Sequence, residues 1–227
     1  MNCRFVSLLA LCLAPAAAAQ NDVQWLVQFD AGRGPPAAPW QPIGAAAEAA
    51  RRTGGALRVA DDSSTEQGLF RAGWTADPAR EIVVEARVRV ESMASGQPKP
   101  NSPSSTSIWP FMDGAPITLM VGDGVHEGGL VLKPDKITTL VDRVALLDTK
   151  RDFHTYRLVI RGTDMSVEVD GRCVIQGEGA FARKASAREP FVQFGSNSKL
   201  HRGESHWASV RLGLRAPAGP PAHAARA

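Results

Sequence analysis

Apolar and polar residues alternate along most of this chain with a period of two. From Glu81 to Glu91, Ile82, Val84, Ala86, Val88 and Val90 fall on one face, and Val83, Glu85, Arg87, Arg89 and Glu91 on the other. Such a segment is a strand with one face on a core and the other toward solvent or a ligand. The stretch from Phe153 to Ile175 repeats the pattern. His154, Tyr156, Leu158 and Ile160 alternate, Gly162-Thr163-Asp164 turns, and Met165, Val167 and Val169 alternate again. Asp170-Gly171 then makes a tight hairpin turn before Cys173 and Ile175, which gives a three-stranded meander. Ile117 to Val121 reads as a buried strand, Gly122-Asp123-Gly124 as a turn and Val125 to Leu132 as the hairpin partner. Lys136 to Leu147 adds one or two strands, and Phe191 to Phe194 and Trp207 to Leu214 complete the set. Only Gly44 to Arg52, mostly alanine, has a helical spacing. No fixed repeat of some tens of residues is visible, which argues against propellers and solenoids. The pattern predicts an all-β fold, a two-sheet antiparallel β-sandwich of the jelly-roll kind.

The start, one interior stretch and the end depart from this pattern. Arg4, an apolar run from Phe5 to Leu13 and an alanine-rich stretch ending at Ala19 read as a secretory signal peptide over residues 1–19. The run is shorter than the roughly 18 to 20 apolar residues of a spanning helix, so the mature protein is expected in the periplasm or the medium, with no membrane in its mature form. Leu9-Ala10-Leu11-Cys12 resembles a lipoprotein site but places Leu, not a small residue, before the cysteine. Ser92 to Ser107, rich in Pro, Ser and Gly, reads as a long mobile loop, and residues 216–227 as a disordered tail. Residues 20–215 are long enough for one sizeable core and are expected to form a single domain.

Charge and cysteine content narrow the partners. The 26 basic side chains, less Arg4 of the leader, leave 25 against 23 acidic ones, without blocks of like charge. That is no electrostatic footprint for nucleic acid. Cys3 and Cys12 leave with the leader, so Cys173 alone remains and no intramolecular disulfide is available. Its alternation with Ile175 predicts a buried, inert thiol.

Candidate binding residues follow from chemistry and phase. Trp74, Trp109 and Trp207 offer flat apolar faces of the kind that stack on pyranose rings; core packing is the ordinary alternative. Trp109 follows the Pro/Ser stretch and precedes Pro110, a setting that favours exposure. Trp207, on strict alternation, lies opposite core-facing Val210 and Leu212. Glu85, Arg87 and Arg89, with Arg157 and Gln193 at equivalent polar phases, would form a groove that hydrogen-bonds hydroxyls or pairs with a sugar carboxylate if they line a concave sheet. On a convex sheet they are a solvated face.

Catalytic and metal chemistry has weaker footing. His126-Glu127, beside the Gly122-Asp123-Gly124 turn, is a candidate acid/base pair, with Glu85 a further carboxylate; an ordinary hairpin end is the alternative. His154 reads as a core or strand-end residue. His201, Glu204 and His206 match no zinc signature. Asp61-Asp62-Ser63-Ser64 offers oxygens for a structural calcium but lacks the EF-hand glycine and terminal glutamate. No cofactor is expected.

Asp152-Phe153-His154-Thr155-Tyr156-Arg157-Leu158, Val167-Glu168-Val169-Asp170-Gly171, Val192-Gln193-Phe194-Gly195-Ser196-Asn197-Ser198 and Ser205-His206-Trp207-Ala208-Ser209-Val210 together resemble the C-terminal half of concanavalin A-like lectin/glucanase jelly rolls. Gly55 to Asp61 and Glu81 to Val90 resemble their opening strands. The resemblance implies two curved sheets whose concave face or rim loops often hold a sugar. It brings no catalytic residues. The Glu-x-Asp-x-x-Glu strand of laminarinase-like members has its nearest match in Glu168-Val169-Asp170-Gly171-Arg172-Cys173, which ends in Cys and contains a turn. The expected function is a secreted, lectin-like module binding a glycan or polysaccharide. The alternatives are a glycoside-processing enzyme, such as a 3-keto-disaccharide hydrolase-like protein with carboxylates on the concave sheet, and a scaffold that contacts protein only.

Overall fold

The computed structural model describes residues 23–62, 67–94, 117–198 and 202–216. In chain order its elements are β1 (Gln24–Asp30), β2 (Gln41–Ile43), α1 (Ala45–Glu48), β3 (Arg51–Thr53), β4 (Ala56–Asp61), β5 (Gly68–Gly73), β6 (Glu81–Ala94) and β7 (Ile117–Gly122). These are followed by β8 (His126–Lys133), β9 (Lys136–Thr139), β10 (Val144–Leu146), β11 (His154–Arg161) and β12 (Asp164–Val169). The last are β13 (Arg172–Gly177), β14 (Arg183–Lys184), β15 (Phe191–Ser196) and β16 (Arg202–Arg215).

The strands form two antiparallel sheets of eight. Sheet A runs β13-β12-β11-β6-β16-β4-β3, with β1 on the other half of the long β16; sheet B runs β10-β9-β8-β7-β15-β5-β2, with β14 on β8. The alternation read from β6 holds, since Ile82, Val84, Ala86, Val88 and Val90 all enter the core between the sheets. The meander is β11-β12-β13, and Asp170 and Gly171 take φ of 50° and 79° at its hairpin turn. Two consecutive positive φ values suit the tight hairpin connection that the right-handed strand twist favours. Asp123 closes the β7-β8 turn by accepting from the Val125 and His126 N–H groups at 2.7 and 2.6 Å.

Phe194 of sheet B is the hub of the core. Its ring centroid lies 4.8 Å from Trp207, 5.2 Å from Trp40, 5.4 Å from Phe70 and 5.6 Å from Phe29. Aromatic side chains bury about 150 to 250 Å² each, so this cluster clamps the sheets together over a small area of each.

Three expectations are corrected. Trp207 faces the core, fully buried, on the same side as Val210 and Leu212. A bulge between Trp207 and Ser209 inserts Ala208 and reverses the parity of the strand. The indole N–H is satisfied by Ser205 Oγ at 2.8 Å. Cys173 is exposed: a register shift at Val167/Glu168 pairs Cys173 with Glu168 and Ile175 with Val167, which turns the two residues to opposite faces. Finally, β6 continues to Ala94, so Ser92 to Ala94 are strand and not loop; the rest of that stretch lies outside the described residues. The leader, residues 217–227, Trp109, Ser63, Ser64 and His201 lie outside them too.

Candidate functional site

The two outer faces of the sandwich differ in how their polar groups are satisfied. On sheet A, cross-strand pairing sets Arg211, Glu85, Arg157 and Glu168 in one row. Arg211 donates twice to Glu85 Oε1, and Arg157 lies 3.8 Å from its Oε2. Arg211 also covers the ring of Trp25 at 4.0 Å. One strand-end over, Arg87 and Arg89 sit above the ring of Phe153, at 5.5 and 5.3 Å, and Arg89 pairs with Glu91 at 2.8 Å. Beside this row is an open groove of about 620 Å³, lined by Val159, Arg161, Ser166, Glu168, Gln176 and Arg215 among others. Its two arginines both pair with Glu81. Charge on sheet A is matched largely by charge.

The outer face of sheet B is built otherwise. Strands β7 and β15 are buried along their whole length, so one face packs on the core and the other carries a second layer of Met120, Val131, Leu140 and Phe191. Into that layer β5 and β15 each place one polar side chain among apolar neighbours, and the register sets them opposite one another: Arg71 against Gln193. Arg71 donates through Nε and Nη2 to Gln193 Oε1, at 2.9 and 2.6 Å, and stacks on Phe191 at 4.6 Å. Burial lowers the pKa of Arg71 from the ordinary arginine value, while the Glu127 charge acts the other way.

Several polar groups on this face have poor partners or none. The Gln193 amide nitrogen, 3.4 Å away, and the Asn197 amide nitrogen, 3.1 Å away, both donate to Met120 Sδ, a weak acceptor. Thr118 Oγ1 is fully buried and has no hydrogen-bond partner among the described residues. Buried polar groups are almost always satisfied, so such a group calls for an explanation in its surroundings. The neighbouring positions Gly129 and Gly195, at φ of 148° and 121°, keep the layer thin. A Cβ on Gly129 would meet Leu119 O at 2.1 Å.

Glu127, at the next pairing position along the face, is 1% exposed and tied down. Its Oε2 accepts from the Ser186 N–H and Oγ at 2.8 and 2.6 Å, and its Oε1 pairs with Arg183 Nε at 3.2 Å. His126 Nδ1 lies 3.8 Å from Asp123 Oδ2, and its ring packs 6.3 Å from Phe181.

The single groove read from polar phase therefore divides. Glu85, Arg87, Arg89 and Arg157 share the outer face of sheet A, whereas Gln193 and Glu127 lie on that of sheet B. Glu85 and Glu127 stand on opposite sides of the sandwich, so they cannot share a substrate as a carboxylate pair. Trp74 is partly buried against the core, with its Nε1 unpartnered among the described residues. His154 is a strand-end residue, bonded to Asp170 Oδ2 at 2.6 Å and Asp148 O at 2.9 Å. Among the described residues no group of His, Cys, Asp and Glu is arranged to hold a metal ion. Sequence reasoning missed Arg71, Thr118 and Asn197. The available signal for Arg71 was the lone charged residue inside the apolar strand Gly68 to Gly73.

No protein-family model and no curated protein sequence matches the chain. Solved structures do. An endo-β-1,3-glucanase from Pyrococcus furiosus superposes with a TM-score of 0.56 at 12% identity, over 85% of this chain and 95% of that one. The κ-carrageenase of Pseudoalteromonas carrageenovora, in complex with a κ-carrageenan oligotetrasaccharide, gives 0.51 at 14% identity, over 89% and 99%. The carbohydrate recognition domain of Emp47p gives 0.51 at 7% identity, over 86% and 98%. At these identities the likeness is one of architecture, and it agrees with the sheet order and the strand resemblances: the fold is that of the concanavalin A-like jelly rolls.

Proposed function

We propose that this chain is an exported glycan-binding module and that its site is the outer face of sheet B around Arg71, Gln193 and Asn197. One observation carries the reading. Among the described residues, this face holds amides that donate only to a thioether sulfur and a buried hydroxyl with no partner, Thr118 Oγ1, whereas the charges of sheet A are largely matched by one another. Sugar hydroxyls both donate and accept, and would give Gln193 and Asn197 better partners than Met120 Sδ. The architecture is one that a glucanase, a carrageenase and a carbohydrate recognition domain also use, which is consistent with this reading. Binding without turnover fits a face whose carboxylate Glu127 is buried, with Oε2 bonded twice by Ser186 and Oε1 paired with Arg183.

The test is retention of the purified protein on immobilised polysaccharides and a glycan array, with reducing ends assayed on whatever is retained. Retention that falls in Gln193→Ala, without new reducing ends, is the expected result. New reducing ends or unsaturated products would make the protein a glycoside hydrolase or lyase. No retention at all would favour a protein-contacting scaffold. Export is tested separately, by fractionating expressing cells and sequencing the mature N-terminus, expected at Gln20.

A further inference from the structure

We infer that the glycan bound on this face is anionic, a uronate or a sulfated sugar, and that Arg71 receives its acidic group. The inference rests on the glycan-binding reading above and extends it to a substrate class.

Arg71 is a half-buried guanidinium that forms no ion pair among the described residues. Its Nε and Nη2 converge on one neutral acceptor, Gln193 Oε1, and its flat face lies on Phe191. Its Nη1 has no acceptor there. The carboxylate nearest in the layer, Glu127, is engaged by Arg183 and by two donors of Ser186. The arginines of the opposite sheet provide the contrast, since Arg211, Arg215 and Arg161 each sit on a glutamate. A partly desolvated cation without a counterion is costly, and a planar guanidinium with a free edge matches a carboxylate or sulfate oxygen pair. The amides of Gln193 and Asn197 and the side chain of Gln67, bonded to Asn197 Oδ1 at 3.1 Å, extend the polar surface beside it for sugar hydroxyls.

The test compares three chain-length-matched probes on the wild-type protein: a polyuronate, a sulfated galactan and a neutral β-glucan. At least one anionic probe should bind more tightly than the glucan, with affinity falling as salt rises. Arg71→Gln should lose about tenfold or more of that affinity and most of the preference. Arg71→Lys, which keeps the charge, should retain part of both. Thermal melts of the two variants check that the fold survives. Which anionic probe binds separates carboxylate from sulfate recognition. Equal or tighter binding of the neutral glucan, or a preference unchanged in a folded Arg71→Gln, overturns this inference and leaves glycan binding standing. Failure of all three probes overturns the glycan reading and this inference with it.

Discussion

Ser186 holds Glu127 from two directions, donating its backbone N–H at 2.8 Å and its hydroxyl at 2.6 Å to the same oxygen, Oε2. With Arg183 on the other oxygen, the buried carboxylate joins the segment around β14 to the start of β8. Breaking a buried pair by removing one partner leaves the other uncompensated, so Glu127→Ala should cost about 3–5 kcal/mol of stability. Ser186→Ala removes one charged hydrogen bond and should cost about 1.5–3 kcal/mol. Urea unfolding of both variants gives the comparison. If Glu127→Ala were no less stable than wild type while its polysaccharide binding collapsed, the carboxylate would be a ligand group and not a tether.

A second ion pair gives a pH dependence. Glu204 is held at about 2, against an ordinary 4.5, chiefly by the hydrogen bonds from Arg58, with burial opposing and His206 assisting. Arg58 reaches both carboxylate oxygens at 2.7 Å. Because the folded-state value is depressed, the stabilisation is complete above about 4.5 and is lost as the pH falls through about 2. The stability difference between wild type and Glu204→Gln, measured by denaturant titration from neutral to strongly acidic pH, should shrink through that window. A difference that stays constant down to the lower end would show that Glu204 titrates as an ordinary carboxylate.

Much of the fold was legible because alternation is local. The β6 pattern and the β11-β12-β13 meander state their own faces, and Asp170-Gly171 states its own turn. What alternation does not carry is an inserted residue. Ala208 in β16 and the shift opposite Val167/Glu168 leave no mark in the sequence, yet each turns the residues beyond it to the other face. The candidate site was legible only in part, for a different reason. Gln193 was identifiable as a polar residue on a strand, but its partner Arg71 is 122 positions away. Only the sheet order, which sets β15 between β5 and β7, brings the two together and separates both from Glu85, Arg87, Arg89 and Arg157.

The shift in the meander makes a chemical prediction. Cys173 stands on an edge strand with its Sγ 3.6 Å from Ile175 O and is exposed, so the thiol should be accessible to reagents in the native protein. An aromatic disulfide reagent should label it in the folded protein at a rate close to that in denaturant. Labelling only after unfolding would restore the buried position that strict alternation gives, and would place Cys173 in the same phase as Ile175.

The bulge at Ala208 is the strongest test of the core. Upstream of it Ser205 and Trp207 point inward; downstream Val210, Leu212 and Leu214 do, and all five are buried. Trp207→Ala removes the ring nearest to Phe194 in the aromatic hub, and a buried aromatic truncated in this way should cost about 3–5 kcal/mol. Deleting Ala208 is the milder change. It brings Trp207 and Val210 to a two-residue spacing, so a regular strand keeps Ser205, Trp207, Val210, Leu212 and Leu214 all on the core face without the bulge. The deletion should therefore keep the cooperative urea transition and the near-ultraviolet circular dichroism of the buried aromatics that Trp207→Ala weakens. A deletion variant that loses the cooperative transition would mean that Ala208 is not the extra residue of β16 and that the bulge does not set the faces of the strand.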